Sequence, residues 1–269
     1  MKKKLNTLRH IIIAYAVLLA IWQLAASFSG VSSALFPSPG RVLLAFRELT
    51  VSGLSGSSSD ATLSVHIRDS LLRFAAGYLL SAAAGITAGL LLGWFPKAFA
   101  YVNPVIQLIR PIAPVAWLPF LVLLVGIGDL PAVTIIFIAG FFPILLSTAS
   151  AVQNIDLVYL RVAGNFGLSQ RRTLTRIVFP AAFPQIAGSL HLALGTCWIF
   201  LVSGEMVGSQ TGLGFLIMDA KNCLRADALL AAIITIGVIG FLLDQLIGLL
   251  ERSFISARGL GPQNNKRRS

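Results

Sequence analysis

Five polar or ionisable side chains interrupt long apolar stretches of this 269-residue chain: Arg110, His191, Thr196, Glu205 and Asp244. Such groups are costly inside a membrane, and where they occur they commonly mark a substrate path, a proton relay or an ion pair. Arg110 and His191 could offer positive charge to an anion. His191 and Glu205 are the residue types of an acid and a base, and with Arg110 and Asp244 they could pass a proton. Each also has a plainer reading. Arg110 can snorkel or hold a kinked helix end, and His191 can hydrogen-bond a neighbouring helix. Glu205 at an outer helix end can pair with Arg225 or Lys221, and Asp244 with Arg252 near the inner surface. Nothing completes a catalytic site. The chain has no G-x-x-x-x-G-K-[ST] phosphate loop, no G-x-S-x-G elbow and no paired-His zinc motif. Cys197 and Cys223 lack a Cys or His neighbour at metal-ligand spacing and read as packed or loop thiols. The expectation is a chain with no catalytic residue, no metal and no bound cofactor.

A second feature is the polar, basic stretch GNFGLSQRRTLTRIVFP at 164–180. Asp156 can cap a short helix, LVYLRVAGNF, that Gly167 ends. Ser169 can cap a second, QRRTLTRIVF, stopped by Pro180. The turn presents Ala163, Gly164 and Gly167, small residues that let a partner protein approach the backbone. A basic loop also anchors topology, which accounts for the arginines but leaves the capped helix–Gly–helix unexplained.

The elements around these residues are those of a membrane. Residues are 56% hydrophobic and 12% charged, whereas an ordinary soluble domain carries about 25% charged residues. Uncharged runs at 11–40, 74–96, 111–128, 130–155, 177–204 and 228–243 predict six spanning helices: 11–28, 70–95, 101–127, 131–152, 182–204 and 226–249. No sustained period-two alternation suggests a membrane barrel. The formal net charge of +11 is a topology signal more than a nucleic-acid footprint, because fourteen of the 21 basic residues sit at the termini and in alternate loops. Basic loops stay in the cytoplasm, which puts both termini and the loop at 153–180 inside. The start, three lysines and then an apolar run, also resembles a signal peptide with Ala25-Ala26-Ser27 as a cleavage site, but its length favours an uncleaved helix. Val42, Leu43, Phe46 and Leu49 share one face of a short helix suited to the outer membrane surface. Gly77, Ser81, Gly85, Gly89 and Gly93 form a ridge for close helix packing, within the chain or across a dimer. Pro104, Pro111, Pro114 and Pro119 break up the third span, whose freed backbone groups need protein or water partners.

The basic loop resembles the cytoplasmic signature of permease subunits of bacterial ATP-binding-cassette importers, E-A-A-x3-G-x9-I-x-L-P. Here it reads Arg161-Val162-Ala163, then Gly167, then Ile177, Phe179 and Pro180, with both spacings kept. Arg161 stands where the family has Glu, and Val162 replaces an Ala. FPSPGRV, the stretch 109–131, GFFPILLSTASAV and GEMVGSQTGLGFLI are similar to the branch that carries nitrate, aliphatic sulfonates and taurine. The resemblance implies an all-α membrane protein of the type I importer permease fold, with a cytoplasmic coupling helix. It implies an N-terminal segment at 1–63, a permease domain at 64–250 with its coupling loop at 153–180, and a basic cytoplasmic tail at 251–269. It further implies an ABC ATPase in two copies that holds ATP and Mg, an extracytoplasmic solute-binding protein, a second permease copy, and residence in the bacterial plasma membrane without nucleic acid. Leu160, Arg161, Ala163, Gly164, Gly167 and Leu168 are then the coupling residues. Arg110, His191, Thr196 and Glu205 are candidates for the substrate path. An ion-coupled secondary transporter and a membrane enzyme are the competing readings.

Overall fold

The structure, a computed structural model, describes residues 2–28, 32, 35–57 and 59–257. The basic tail expected at 251–269 lies outside the described residues beyond 257. Every element among the described residues is helical: α1 Lys2–Phe28, α2 Pro39–Val51, α3 Leu63–Trp94, α4 Pro96–Ile109, α5 Leu118–Val125, α6 Asp129–Gln153, α7 Leu157–Asn165, α8 Gln170–Thr173, α9 Phe179–Gly208, α10 Leu213–Asn222 and α11 Ala226–Ala257. Uniform helicity is what hydrocarbon demands, since only a helix satisfies its own backbone groups strand by strand of sequence.

Four helices among the described residues are long and apolar enough to cross a membrane: Leu63–Trp94, Asp129–Gln153, Gln170–Gly208 and Ala226–Leu249. The third span expected at 101–127 is two helices, α4 and the short segment ending in α5, bent by 78° at their break, and would make a fifth crossing if taken as one. Pro111 lies in that break, where its missing N–H helps end α4 at Ile109, and Pro114 starts the next segment. The apolar part of α1, Ile13–Phe28, is shorter.

The chain forms two compact units, each drawn from separate stretches. The first comprises residues up to Asp69 together with Gln210–Gly237. There α2 buries Val42, Ala45 and Leu49 and leaves Leu43 and Leu44 exposed. This corrects the expected membrane face of α2, because Val42 and Leu49 pack into the protein. Ser38 precedes α2 without a side-chain capping bond, and the Pro39 ring starts the helix.

The second unit comprises Ser70–Ser209 and residues from Val238 onward. Its core is the long pairing of α6 with α9, with Ile135, Ile136, Ile144, Ile186, Cys197 and Leu201 buried. Against α6 lies the glycine ridge of α3. A Cβ added at Gly77 would fall 2.6 Å from Ile136 Cβ, at Gly85 2.9 Å from Ile144 Cγ2, at Gly89 2.6 Å from Thr148 Cβ, and at Gly93 2.7 Å from Val152 Cβ. From the other side, a Cβ at Gly140 would meet Ser81 Oγ and Cys197 Sγ. Only hydrogen fits at these positions.

Pro180 does not stop the helix that begins at Gln170, contrary to the sequence reading. Residues Leu174–Val178 form a π turn, in which the Phe179 N–H reaches back to the Leu174 carbonyl. The wider turn accommodates the missing donor of Pro180, and the helix continues for 39 residues to Gly208 with Pro184 inside it.

Replacing Gly89 with Val should destabilise the protein by about 1–3 kcal/mol through overpacking against Leu145 and Thr148. Gly188→Ala, where an added Cβ meets nothing within 4 Å, should leave the melting temperature in detergent unchanged. Equal melting temperatures for the two variants would show that the ridge does not set the α3–α6 distance.

Candidate functional site

The helix–turn–helix at 153–180 is built by local chemistry. Asp156 Oδ1 accepts the Val158 N–H at 2.9 Å, capping α7. At the other end the Leu168 N–H bonds to the Ala163 carbonyl at 3.1 Å and the Gly167 N–H to the Gly164 carbonyl at 3.0 Å. This paired closure requires a left-handed residue, supplied by Gly167 at φ 63°. Ser169 starts α8 from an extended backbone with no side-chain capping bond.

The placement of the expected coupling residues divides them. Ala163 is 2% exposed, and Leu160 packs on the apolar cluster of Val152, Val178, Ala182 and Ile186. Ala163 is thus turned into the protein, and the partly buried Leu160 helps to seat α7. Leu168 is half-buried, whereas Arg161, Gly164 and Gly167 are exposed. The sequence reading missed the outer face itself: Leu157, Val158, Tyr159, Val162 and Phe166 are all exposed, Phe166 at 77%. Four large apolar side chains on this nine-residue helix, with Phe166 at its C-cap, form an uncovered patch that includes the exposed Arg161. Behind α7 an open groove of about 440 Å³ is lined by Trp94, Val152, Leu160 and Val178.

The candidate substrate-path residues go to separate partners. Arg110 is exposed at the end of α4, its N–H bonded to the Ile106 carbonyl at 2.8 Å. Thr196 turns its hydroxyl back to the Leu192 carbonyl at 3.2 Å. His191 lies between two carboxylates of α11, with Nε2 2.9 Å from Asp244 Oδ1 and Nδ1 3.0 Å from Glu251 Oε2. A ring flanked by two acids is a poor anion ligand, which speaks against an offer of charge by His191; the Arg252 side chain, expected to pair with Asp244, lies outside the described residues. Glu205 is fully buried. It pairs with Arg73 at 2.8 Å and accepts the Ser70 hydroxyl at 2.8 Å, in place of the expected Arg225 or Lys221. The Arg73 Nε also reaches Asp129 Oδ1 at 2.7 Å.

In the first unit Arg225 grips Glu48 at 2.7 Å and Asp227 at 2.9 Å, tying α2 to the start of α11. Thr211 donates to Asp69 at 2.8 Å, the Gly212 N–H donates to His66 Nδ1 at 3.0 Å, and Ser57 bonds to Asp219. Among the described residues no group of His, Cys, Asp and Glu could hold a metal ion.

Residues 83–256 match the family described as binding-protein-dependent transport system inner membrane component. The chain belongs to this family. It is 34% identical to the taurine transport system permease protein TauC of Escherichia coli (strain K12), over 88% of this chain and 85% of that protein. It is 33% identical to the nitrate import permease protein NrtB of Synechocystis sp., over 91% of this chain and 88% of that protein. Its fold resembles a chain in an inward-facing crystal form of the MetNI methionine ABC transporter, with a TM-score of 0.63 and 17% identity over 71% of this chain and 95% of that one. The permease is thus a multi-pass inner-membrane transport subunit without catalysis of its own, and its family implies an ATPase and a solute-binding protein as partners. The ion-coupled and enzymatic readings do not fit this membership.

The tie between α2 and α11 carries a pH signature. Hydrogen bonds from Arg225 first, then from Ser55, hold the Glu48 carboxyl down to about 2 from 4.5, and the Arg225 guanidinium is pushed up in turn. A depressed folded value means that the stabilisation is fully present above pH 4.5 and fades as pH falls through about 2. Backbone hydrogen exchange over 39–51, corrected for intrinsic rates, should therefore quicken across that window in the native permease and stay flat in Glu48→Gln. A flat native profile would remove the tie.

Proposed function

We propose that the permease couples ATP hydrolysed by a separate subunit to import of a small anion, and that the exposed face of α7 is where the ATPase docks. The observation that carries this reading is the capped, Gly-closed α7 with Leu157, Val158, Tyr159, Val162 and Phe166 turned outward. An apolar patch of this kind outside the spanning segments suits burial against a partner, and Arg161 borders it where the family has an acid. On this reading Gly164 and Gly167 allow close approach, and Leu160, Ala163 and Leu168 hold α7 in place.

The chain then crosses the membrane six times: α1, α3, the broken α4–α5 pair, α6, α9 and α11. Both termini and α7 face the cytoplasm, the transport domain covers 64–250, and two permease copies meet two ATPases that hold ATP and Mg. The substrate is an aliphatic sulfonate such as taurine, with nitrate next, following the relatives' names. Discrimination among anions falls mainly to the binding protein, since His191 is committed to Asp244 and Glu251 and Glu205 to Arg73.

The test is ATPase activity in nanodiscs holding the permease with its cognate ATPase and binding protein. Binding protein loaded with a sulfonate should stimulate hydrolysis by the native complex. Phe166→Asp puts an unpaired charge into the docking face and should lower that stimulation by at least about tenfold, with the melting temperature unchanged because Phe166 is exposed. Full stimulation by Phe166→Asp would move the docking face elsewhere.

A further inference from the structure

The buried charge network of the second unit has an unequal shape. Its inner arm is sealed: Glu205 is 0% and Arg73 7% exposed, at 2.8 Å, with the Ser70 hydroxyl closing over both carboxylate oxygens. Its outer arm is open: Asp129, 2.7 Å from Arg73, is 71% exposed. Asp129 is the first residue of α6, and the chain leading to it is Gly126-Ile127-Gly128, with Gly126 at φ 82° and Gly128 at φ 154°. Glycine at both positions gives this connection a conformational range that other residues lack. One backbone bond, from the Gly128 N–H to the Gly208 carbonyl at 2.7 Å, links the same connection to the end of α9. The next residue, Ser209, is buried with its hydroxyl unpaired among the described residues. An unpaired buried hydroxyl is a cost of this arrangement that contact with water would relieve.

We propose that Arg73 and Asp129 form a latch that holds this end of the bundle closed, with Glu205 and Ser70 as the fixed seat of Arg73 and the Gly126–Gly128 connection as the part that swings away. The inference rests on the importer reading, which places this end on the extracytoplasmic side, where the binding protein docks. Arg73 stays on its buried partner throughout, because stranding either charge would be prohibitive. Only the solvent-facing arm is weak enough to break and reform in each cycle. A closed latch favours the resting state, so ATP-driven opening must work against it.

The test uses the reconstituted complex with ATPase and binding protein. Asp129→Asn leaves the Arg73–Glu205 pair intact and should raise hydrolysis without binding protein by about two- to fivefold, the weight of one exposed ion pair. It should keep the melting temperature and the stimulated maximum of the native complex. Asp129→Glu should return the unstimulated rate toward the native value, which a simple packing role would not require. An unstimulated rate in Asp129→Asn equal to the native one overturns the latch and leaves the importer reading standing. A native complex that shows no stimulation at all overturns that reading and the latch with it.

Discussion

Close approach of two backbones, with glycine hydrogens in the space between them, is the contact on which the second unit depends. In lipid the neighbouring solvent is as apolar as a leucine side chain, so helices gain little by merely hiding apolar surface from it. They gain by dispersion at short range, which demands small residues on one side. Gly77, Gly85, Gly89 and Gly93 supply that on α3, and Ile136, Ile144, Thr148 and Val152 of α6 fill it. The exchange is reciprocal at Gly140, where α6 yields to Ser81 and Cys197. With α6 fixed in depth and rotation, α9 packs along it beside α3, Cys197 meeting the same Gly140 and Ile136 that face the ridge. The Arg73–Glu205 pair and the His191 contacts with Asp244 and Glu251 then follow from where α9 lies.

Charge inside the permease is consistently neutralised by a named partner. Arg73 answers Glu205 and Asp129, and His191 answers Asp244 and Glu251. Such pairs seldom add net stability over an apolar packing of equal volume, because desolvation offsets the attraction. Their use is specificity: a paired charge tolerates one register between two helices and punishes the others. That makes them better suited to defining states of a moving bundle than to holding a passing anion, and it shifts substrate choice away from these side chains.

The sequence exposes what is local. Asp156 and Gly167 were legible as the two ends of α7, because a cap and a left-handed closure depend on residues within five positions. Apolar runs located α6 and α9 within a few residues, and the start of α11, for the same reason. Spacing also shows which residues of α3 share a face, but only the structure shows that the face meets α6. Pro180 misled because a proline rule assumes an α-helical ladder, and a π turn offers a different one. The ion pairs were hidden because Arg73 and Glu205 are 132 positions apart and nothing local marks which face of each helix turns inward. The α7 patch was hidden by the same ignorance of facing: small residues at the tip drew attention, while Phe166 read as part of an ordinary helix.

Continuity of α9 joins the two ends of the second unit. The helix from Gln170 to Gly208 starts beside the basic loop and finishes beside Glu205. A rigid rod of this kind cannot be displaced at one end without tilting at the other. The π turn at Leu174–Val178 is where it departs from rigidity, following Arg171 and Arg172, carrying Arg176 and packed against Ala182 and Ile186 of the core. If α7 is the docking site proposed above, a turn with a looser hydrogen-bond pattern at that point would let the loop adjust to its partner while the apolar length from Phe179 onward moves as one piece. Force entering at α7 would therefore reach Arg73 through Glu205, and the exposed Asp129 arm would be the first contact to yield.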